Sequence, residues 1–413
     1  MATDKVIEGP VVIIGTGQAG FQTAASLRIE GFEGDIFMFG DEPGLPYQRP
    51  PLSKAFFKDG SADRLLFRNQ DFFEKNNINI KDNCSVKSID RHQKQVLLDD
   101  GAAISYEHLV LATGTRNREL PIAGSDLKNV LVLRTLADAN HIRKTAKADQ
   151  RVVMIGGGFI GLELASVLRD FGCEVAVIEA ESRPMARAVS EQISTYFVDA
   201  HTKSGIKIHC SSMVSQILGD NEAEGVKLSD GTEIGADLVF ICAGVVPNSE
   251  IASEAGLKTN NGILVDDLLL SNDPSISAIG DCASFVHKNS GVLVRLESVQ
   301  NAADQAKCVA KRLTGNPQAY NAVPWFWSDQ GGKKLQIAGL TGNADQLICH
   351  EDEENGKISV FAFENAQFVG VEAVNMATNY VISRKILETG KPVTLSDFEA
   401  SDFDLREVLK KIG

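Results

Sequence analysis

The stretch Val11-Val12-Ile13-Ile14-Gly15-Thr16-Gly17-Gln18-Ala19-Gly20 constrains the fold more than any other part of the chain. A run of β-branched residues with no polar alternation suits a parallel strand buried on both faces. It feeds a Gly-x-Gly-x-x-Gly turn. Gly15 permits the tight bend, Gly17 lets backbone approach a pyrophosphate, and Gly20 lets the next helix pack on the strand. The helix N-terminus adds free N–H groups and the positive end of its dipole. One copy is equally compatible with a plain strand–helix turn, so the rest of the chain must decide.

Residues 21–30 carry Ala24, Ala25 and Leu27 and predict a helix, and residues 36–39 predict a second strand. That strand runs into Gly40-Asp41-Glu42, about twenty residues beyond Gly20, where a carboxylate can accept hydrogen bonds from a ribose. Asp41 is the first choice and Glu42 the second; the alternative is a solvated turn acid. Pro46-Tyr47-Gln48-Arg49-Pro50-Pro51-Leu52-Ser53-Lys54 follows. Its prolines stiffen it and limit strand pairing. It is either a rigid loop holding Arg49 and Lys54 against a cofactor or a surface linker with solvated charges. Leu109-Val110-Leu111-Ala112-Thr113-Gly114 is another buried-strand pattern, leading to Arg116.

The motif then recurs. Residues 152–155 are apolar, Gly156-Gly157-Gly158-Phe159-Ile160-Gly161 repeats the turn, and residues 159–171 have helical spacing. The strand at 174–178 ends at Glu179. This copy is the better fingerprint. An acid there favours a free 2′-hydroxyl and repels a 2′-phosphate, so NADH is preferred over NADPH, although Arg183 and Arg187 stand nearby. Leu238-Val239-Phe240-Ile241-Cys242-Ala243-Gly244 resembles the strand at 109–114. Two similar units of glycine turn, acid and closing strand imply two dinucleotide sites.

Ile276-Ser277-Ala278-Ile279-Gly280-Asp281 is a short strand ending in an acid that can receive ribityl hydroxyls, though such strand ends are common. Arg295-Leu296-Glu297-Ser298 leads into a helix at 299–313, on which Lys307, Lys311 and Arg312 form a local basic face or a simple solvated cluster. From about Val323 the composition changes. Pro324-Trp325-Phe326-Trp327-Ser328-Asp329-Gln330 holds both tryptophans. Strand-like segments at 334–338, 358–363 and 367–374 and a helix near 377–387 describe a small α+β domain with an acidic run at Glu351-Asp352-Glu353-Glu354.

Composition narrows the function. A net charge of −14 over 413 residues argues against general nucleic-acid binding. The seven cysteines include no Cys-x-x-Cys pair, which fits a reduced, intracellular setting. The seven histidines, His92, His108, His141, His201, His209, His287 and His350, show no metal-ligand spacing, so no metal is expected. Residues 1–8 have no apolar signal core and no run approaches a membrane span. The expected location is the cytoplasm.

The markers together are specific. Gly15-x-Gly17-x-x-Gly20, Leu45-Pro46-Tyr47-x-Arg49-Pro50-Pro51-Leu52-Ser53-Lys54, Ala112-Thr113-Gly114, Gly156-x-Gly158-x-x-Gly161-x-Glu163, Gly280-Asp281, Glu297-Ser298-x-x-Asn301-Ala302 and Trp325-Phe326-Trp327-Ser328-Asp329-Gln330 resemble the FAD-containing, NADH-dependent ferredoxin reductases of bacterial oxygenase systems, in the glutathione-reductase structural class. The resemblance spans essentially the whole chain. It implies an α/β fold with two Rossmann-like dinucleotide-binding domains and a small α+β C-terminal domain: FAD at 1–115 and 245–322, NADH at 116–244, and an interface domain at 323–413. It assigns to FAD the residues Gly15, Gly17, Gln18, Ala19, Gly20, Asp41, Glu42, Arg49, Lys54, Ala112, Thr113, Gly114, Arg116, Gly280, Asp281, Ser298, Val299 and Trp327. It assigns to NADH the residues Gly156, Gly158, Phe159, Ile160, Gly161, Glu163, Glu179, Gly244 and Glu297. Lys54, paired with Glu163, would sit at the flavin N5 edge, Glu297 near the nicotinamide, and Trp327 near the isoalloxazine. An interdomain ion pair and an ordinary core tryptophan are the plainer alternatives.

The reaction implied is hydride transfer from NADH to FAD, then single-electron transfer to a 2Fe–2S ferredoxin serving a monooxygenase or dioxygenase. The flavin does that chemistry, so no catalytic His or Cys constellation is needed. The partner, expected to be acidic like this chain, would need a local basic patch, and Arg295, Lys307, Lys311, Arg312, Lys333 and Lys334 are the candidates near Trp327. A rubredoxin or nitrite-reductase partner would use the same residues. A disulfide reductase would need a cysteine pair where the chain reads Pro46 to Lys54. An apoptosis-inducing-factor-like interaction protein shares the Pro-Pro-Leu-Ser-Lys stretch, but would call for basic targeting segments.

Overall fold

The structure is a computed structural model that describes residues 6–288 and 290–413. It divides into two compact units. The first comprises Met1–Gln48, Ala62–Arg116 and Val245–Ala322, and the second Arg49–Ser61, Asn117–Gly244 and Val323–Gly413.

The first unit is built on a parallel sheet in the order Ile276–Ala278, His108–Leu111, Val11–Ile14, Ile36–Phe39, Ile78–Lys81. Val11–Ile14 and His108–Leu111 are buried throughout, as the apolar runs Val11–Ile14 and Leu109–Leu111 require. A strand contributed from residue 276 onward closes the sheet, so the domain is discontinuous in sequence. The helices Gln18–Ile29 and Val299–Leu313 pack on one another through small residues, including Ala24, Ala25, Ala302 and Ala306. The helix Val299–Leu313 is capped by Ser298, whose hydroxyl accepts from the Asn301 N–H.

The second unit contains another parallel sheet, ordered Lys207–His209, Glu174–Ile178, Arg151–Ile155, Leu238–Ile241, Val130–Leu131. The helix Phe159–Asp170 follows its glycine turn. The C-terminal segment of this unit is an antiparallel sheet ordered Trp325–Gln330, Lys333–Gly339, Gln367–Val374, Lys357–Glu364, Gln346–Asp352, with the helices Ala377–Glu388 and Leu405–Ile412.

Residues 49–61, expected with the FAD segments, pack in the second unit. The reason is local. Arg143 lies 5.4 Å over the Phe56 ring and donates to the Phe57 carbonyl, while Ser53 and Lys54 bind Glu163. Among the described residues no helix is long and apolar enough to cross a membrane.

Candidate functional site

The two glycine turns have the same backbone. Gly15 has φ +112 and Gly156 φ +111. A Cβ at Gly15 would lie 2.2 Å from the Ala112 carbonyl oxygen, and one at Gly156 would lie 2.4 Å from that of Cys242. These glycines are needed so that the closing strand can approach. Gly17 and Gly158 differ: a Cβ on either would meet nothing within 4 Å. Each therefore faces open space above the start of a helix, at Gln18 and Phe159, where backbone N–H groups are free to receive an anion. Gly17, Gln18, Ala19 and Gly20 form one such cradle, and Gly158, Phe159, Ile160 and Gly161 the other.

In the first unit, Asp281 sits in the turn after the strand Ile276–Ala278, with Thr115 Oγ1 3.4 Å from its Oδ2. Gly280 donates its N–H to Gln305 Oε1 at 2.7 Å, which pins that turn to the helix Val299–Leu313. Thr113 and Asn248 exchange hydrogen bonds of 2.6 and 2.9 Å, and Arg116 donates to Asn248 and to Glu250. Asn248 and Gln305 thus brace the Ala112-Thr113-Gly114 and Gly280-Asp281 ends; no motif marked either. Asp41 is exposed, whereas Glu42 accepts from the Tyr47 hydroxyl. Glu297 is exposed and paired with Arg295 at 2.8 Å, next to Ser298 and Val299.

In the second unit, Glu179 Oε2 accepts the Gly157 N–H at 2.7 Å. The strand-end acid is held at the mouth of the second glycine turn. Arg183 donates to the carbonyls of Ala186, Val189 and Ser190, so its guanidinium is held in its own loop. Arg187 and Gly244 are exposed. Cys242, beside this turn, has its thiol pushed up to about 12 by burial, so it stays protonated.

Lys54 Nζ lies 2.6 Å from Glu163 Oε2. The pair is largely out of water, with side-chain exposures of 20% and 5%. Desolvating two charges costs more than their attraction returns unless other donors satisfy the carboxylate. Ser53 Oγ supplies one at 2.7 Å to the same oxygen, and Ser328 Oγ another at 2.6 Å to Oε1. Ser53 and Ser328 were not singled out from sequence. Arg49 donates to the Arg134 carbonyl in the same unit. Trp327 is half-buried rather than core, its ring 6.1 Å from that of Trp325.

Two residues of the expected basic docking patch are corrected. Arg312 is buried, donating to Ser277 beside His108. It continues the inward stripe of Ala302, Gln305 and Val309, a helical turn or two apart, whereas Lys311 is rotated off it. Burial lowers the Arg312 guanidinium to about 10. Arg295 is only 9% exposed and is occupied by Glu297 and the Asp281 carbonyl. Lys307 and Lys334 are exposed, and Lys311 and Lys333 partly so.

Two open glycine turns of matching geometry, one beside a pinned acid, suit a protein that holds two dinucleotides. The chain belongs to the pyridine nucleotide-disulphide oxidoreductase family, which matches residues 9–306, and residues 325–409 match the reductase C-terminal family. Its close homologues are ferredoxin reductases. It is 47% identical over 398 residues to rhodocoxin reductase of Rhodococcus erythropolis, covering 96% of this chain and 93% of that protein. It superposes with a TM-score of 0.94 and 46% identity on the ferredoxin reductase for the CYP199A2 system of Rhodopseudomonas palustris, over 97% of this chain and 99% of that one. The covalent putidaredoxin reductase–putidaredoxin complex matches with a TM-score of 0.94 and 35% identity, over 99% of both chains.

Proposed function

We propose that this protein moves electrons from NADH to a 2Fe–2S ferredoxin that serves a monooxygenase or dioxygenase, with FAD as its resident cofactor. The observation that carries this reading is the pair of equivalent cradles at Gly17 and Gly158, each open where a side chain would fill it. The first would hold the FAD pyrophosphate, with Asp281 receiving ribityl hydroxyls and Asp41 the ribose. When bound, FAD would supply the chemistry, accepting one hydride, which carries two electrons, and releasing those electrons singly.

The chain's own residues bind and orient. Gly156 to Gly161 would hold the NADH pyrophosphate. Glu179 would accept from the adenosine ribose and repel a 2′-phosphate, and the Arg183 guanidinium is held in its own loop by three carbonyls. Lys54, fixed by Glu163, would present its ammonium to the flavin edge. Arg49, Arg116, Ser298 and Val299 would complete the FAD contacts, Glu297 would lie near the nicotinamide, and Trp327 would mark where electrons leave. The partner would dock through exposed and partly exposed lysines, with Lys307 and Lys311 as the candidates on the first unit and Lys333 and Lys334 on the second, on a chain of net charge −14. Purified protein loaded with FAD should be yellow and bleach on addition of NADH. A colourless protein that cannot be reconstituted would refute the reading.

A further inference from the structure

Glu163 is the end of a buried chain of polar groups that runs away from Lys54. Its Oε1 accepts from Ser328 Oγ at 2.6 Å. Ser328 Oγ is 3.1 Å from Gln330 Nε2, and Gln330 Oε1 is 2.9 Å from His201 Nε2. Glu163, Ser328, Gln330 and His201 are 4%, 0%, 1% and 2% exposed.

The chemistry fixes the direction of each bond from Glu163 out to His201 Nε2. A carboxylate only accepts, so Ser328 must spend its proton on Glu163. Ser328 Oγ then accepts, which turns the Gln330 NH2 toward it; the same NH2 faces Met185 Sδ at 3.5 Å. Gln330 Oε1 is left to accept, so His201 carries its proton on Nε2. Ser166 Oγ, 3.4 Å from His201 Nδ1, already donates to the Leu162 carbonyl at 2.9 Å. Burial lowers the His201 pKa against the opposing pull of its bond to Gln330, which keeps the ring neutral. All donors point toward Glu163. A primary amide in the middle does not relay protons, so the chain orients charge rather than conducting it.

We propose that Ser328, Gln330 and His201 are positioning residues that hold the Glu163 carboxylate, and through it the Lys54 ammonium, in one orientation. This deepens the flavin-edge reading of Lys54 and rests on it. The strand Trp325–Gln330 alternates its faces, so Ser328, which binds Glu163, and Gln330, which binds Ser328, share one side while Trp327 points to the other. A single strand therefore fixes both the cation at the expected flavin edge and the expected exit for electrons.

The test combines stopped-flow bleaching of the FAD-loaded enzyme by NADH with long-range proton–nitrogen spectra of ¹⁵N-histidine-labelled enzyme. Ser328→Ala should slow the limiting bleaching rate about tenfold, the loss expected for a hydrogen bond to a charged group. The NADH dissociation constant should be unchanged, and Ser328→Thr, which keeps the hydroxyl, should restore the rate. The spectra should show His201 as the neutral Nε2–H tautomer, and Gln330→Leu should abolish that preference. An unchanged rate in Ser328→Ala, with Lys54→Met slowed, overturns the positioning role. An unchanged rate in Lys54→Met overturns the flavin-edge reading beneath it. An Nδ1–H tautomer in the unsubstituted enzyme overturns the chain even if the serine variants fail to fold.

Discussion

Glu179 Oε2 accepts the Gly157 N–H at 2.7 Å, joining the acid that ends one strand to the glycine turn that follows its neighbour. The carboxylate is thereby fixed beside the second cradle before any nucleotide arrives. Glu179→Ala should narrow the preference for NADH over NADPH, measured as the ratio of kcat/KM values, by about tenfold, the scale of one charge-assisted hydrogen bond. An unchanged ratio would make Glu179 a structural brace of the turn.

The first glycine turn separates folding from binding. Gly15→Ala places a Cβ 2.2 Å from the Ala112 carbonyl at a φ of +112, so it should lower the melting temperature of the protein with or without FAD. Gly17→Leu meets no neighbour at its Cβ and should fold normally, yet purify without flavin. Absorption spectra and melting curves of the two variants distinguish them. A yellow Gly17→Leu protein would place the pyrophosphate elsewhere.

Docking can be tested without touching the cofactor sites. Lys307 is 53% exposed and only partly neutralised by Asp304 at 2.9 Å. Charge reversal at Lys307 and Lys311 should raise the apparent ferredoxin KM several-fold, more steeply at low salt, and leave NADH–ferricyanide activity intact. Arg312→Glu should act differently: it buries a carboxylate against Ser277 and should destabilise the first unit.

His108 predicts a pH dependence of stability. Burial, and then the charge of Arg312, hold its pKa well below the usual 6.5. The folded protein therefore binds fewer protons than the unfolded chain once pH falls below 6.5, and stability declines on acidification through that window. Each such histidine contributes about 1.4 kcal/mol per pH unit. Urea unfolding at several pH values should show the decline, and His108→Asn should reduce its slope. An unaltered slope in that variant would mean that other groups carry it.

Much of the fold was legible because buried parallel strands are written as unbroken apolar runs. Val11–Ile14 and Leu238–Ile241 are such runs, and both precede or close a glycine turn. The strand Gln346–Asp352 was not legible: it is an edge strand with no fully buried residue, and it ends in the acidic run. Arg312 misled because neighbours in sequence are about 100° apart on a helix, so Lys311 and Arg312 do not share a face. Ser53 and Ser328 reach Glu163 across 110 and 165 positions, and isolated hydroxyls carry no periodic signal. The Lys54–Glu163 pair was legible only through resemblance.

The most direct measurement is anaerobic reduction of a purified 2Fe–2S ferredoxin by NADH with a catalytic amount of the FAD-loaded enzyme. The expected result is two ferredoxins reduced for each NADH consumed, since one hydride carries two electrons. NADH oxidation that leaves the ferredoxin oxidised, or a bound flavin that NADH does not bleach, would contradict the account.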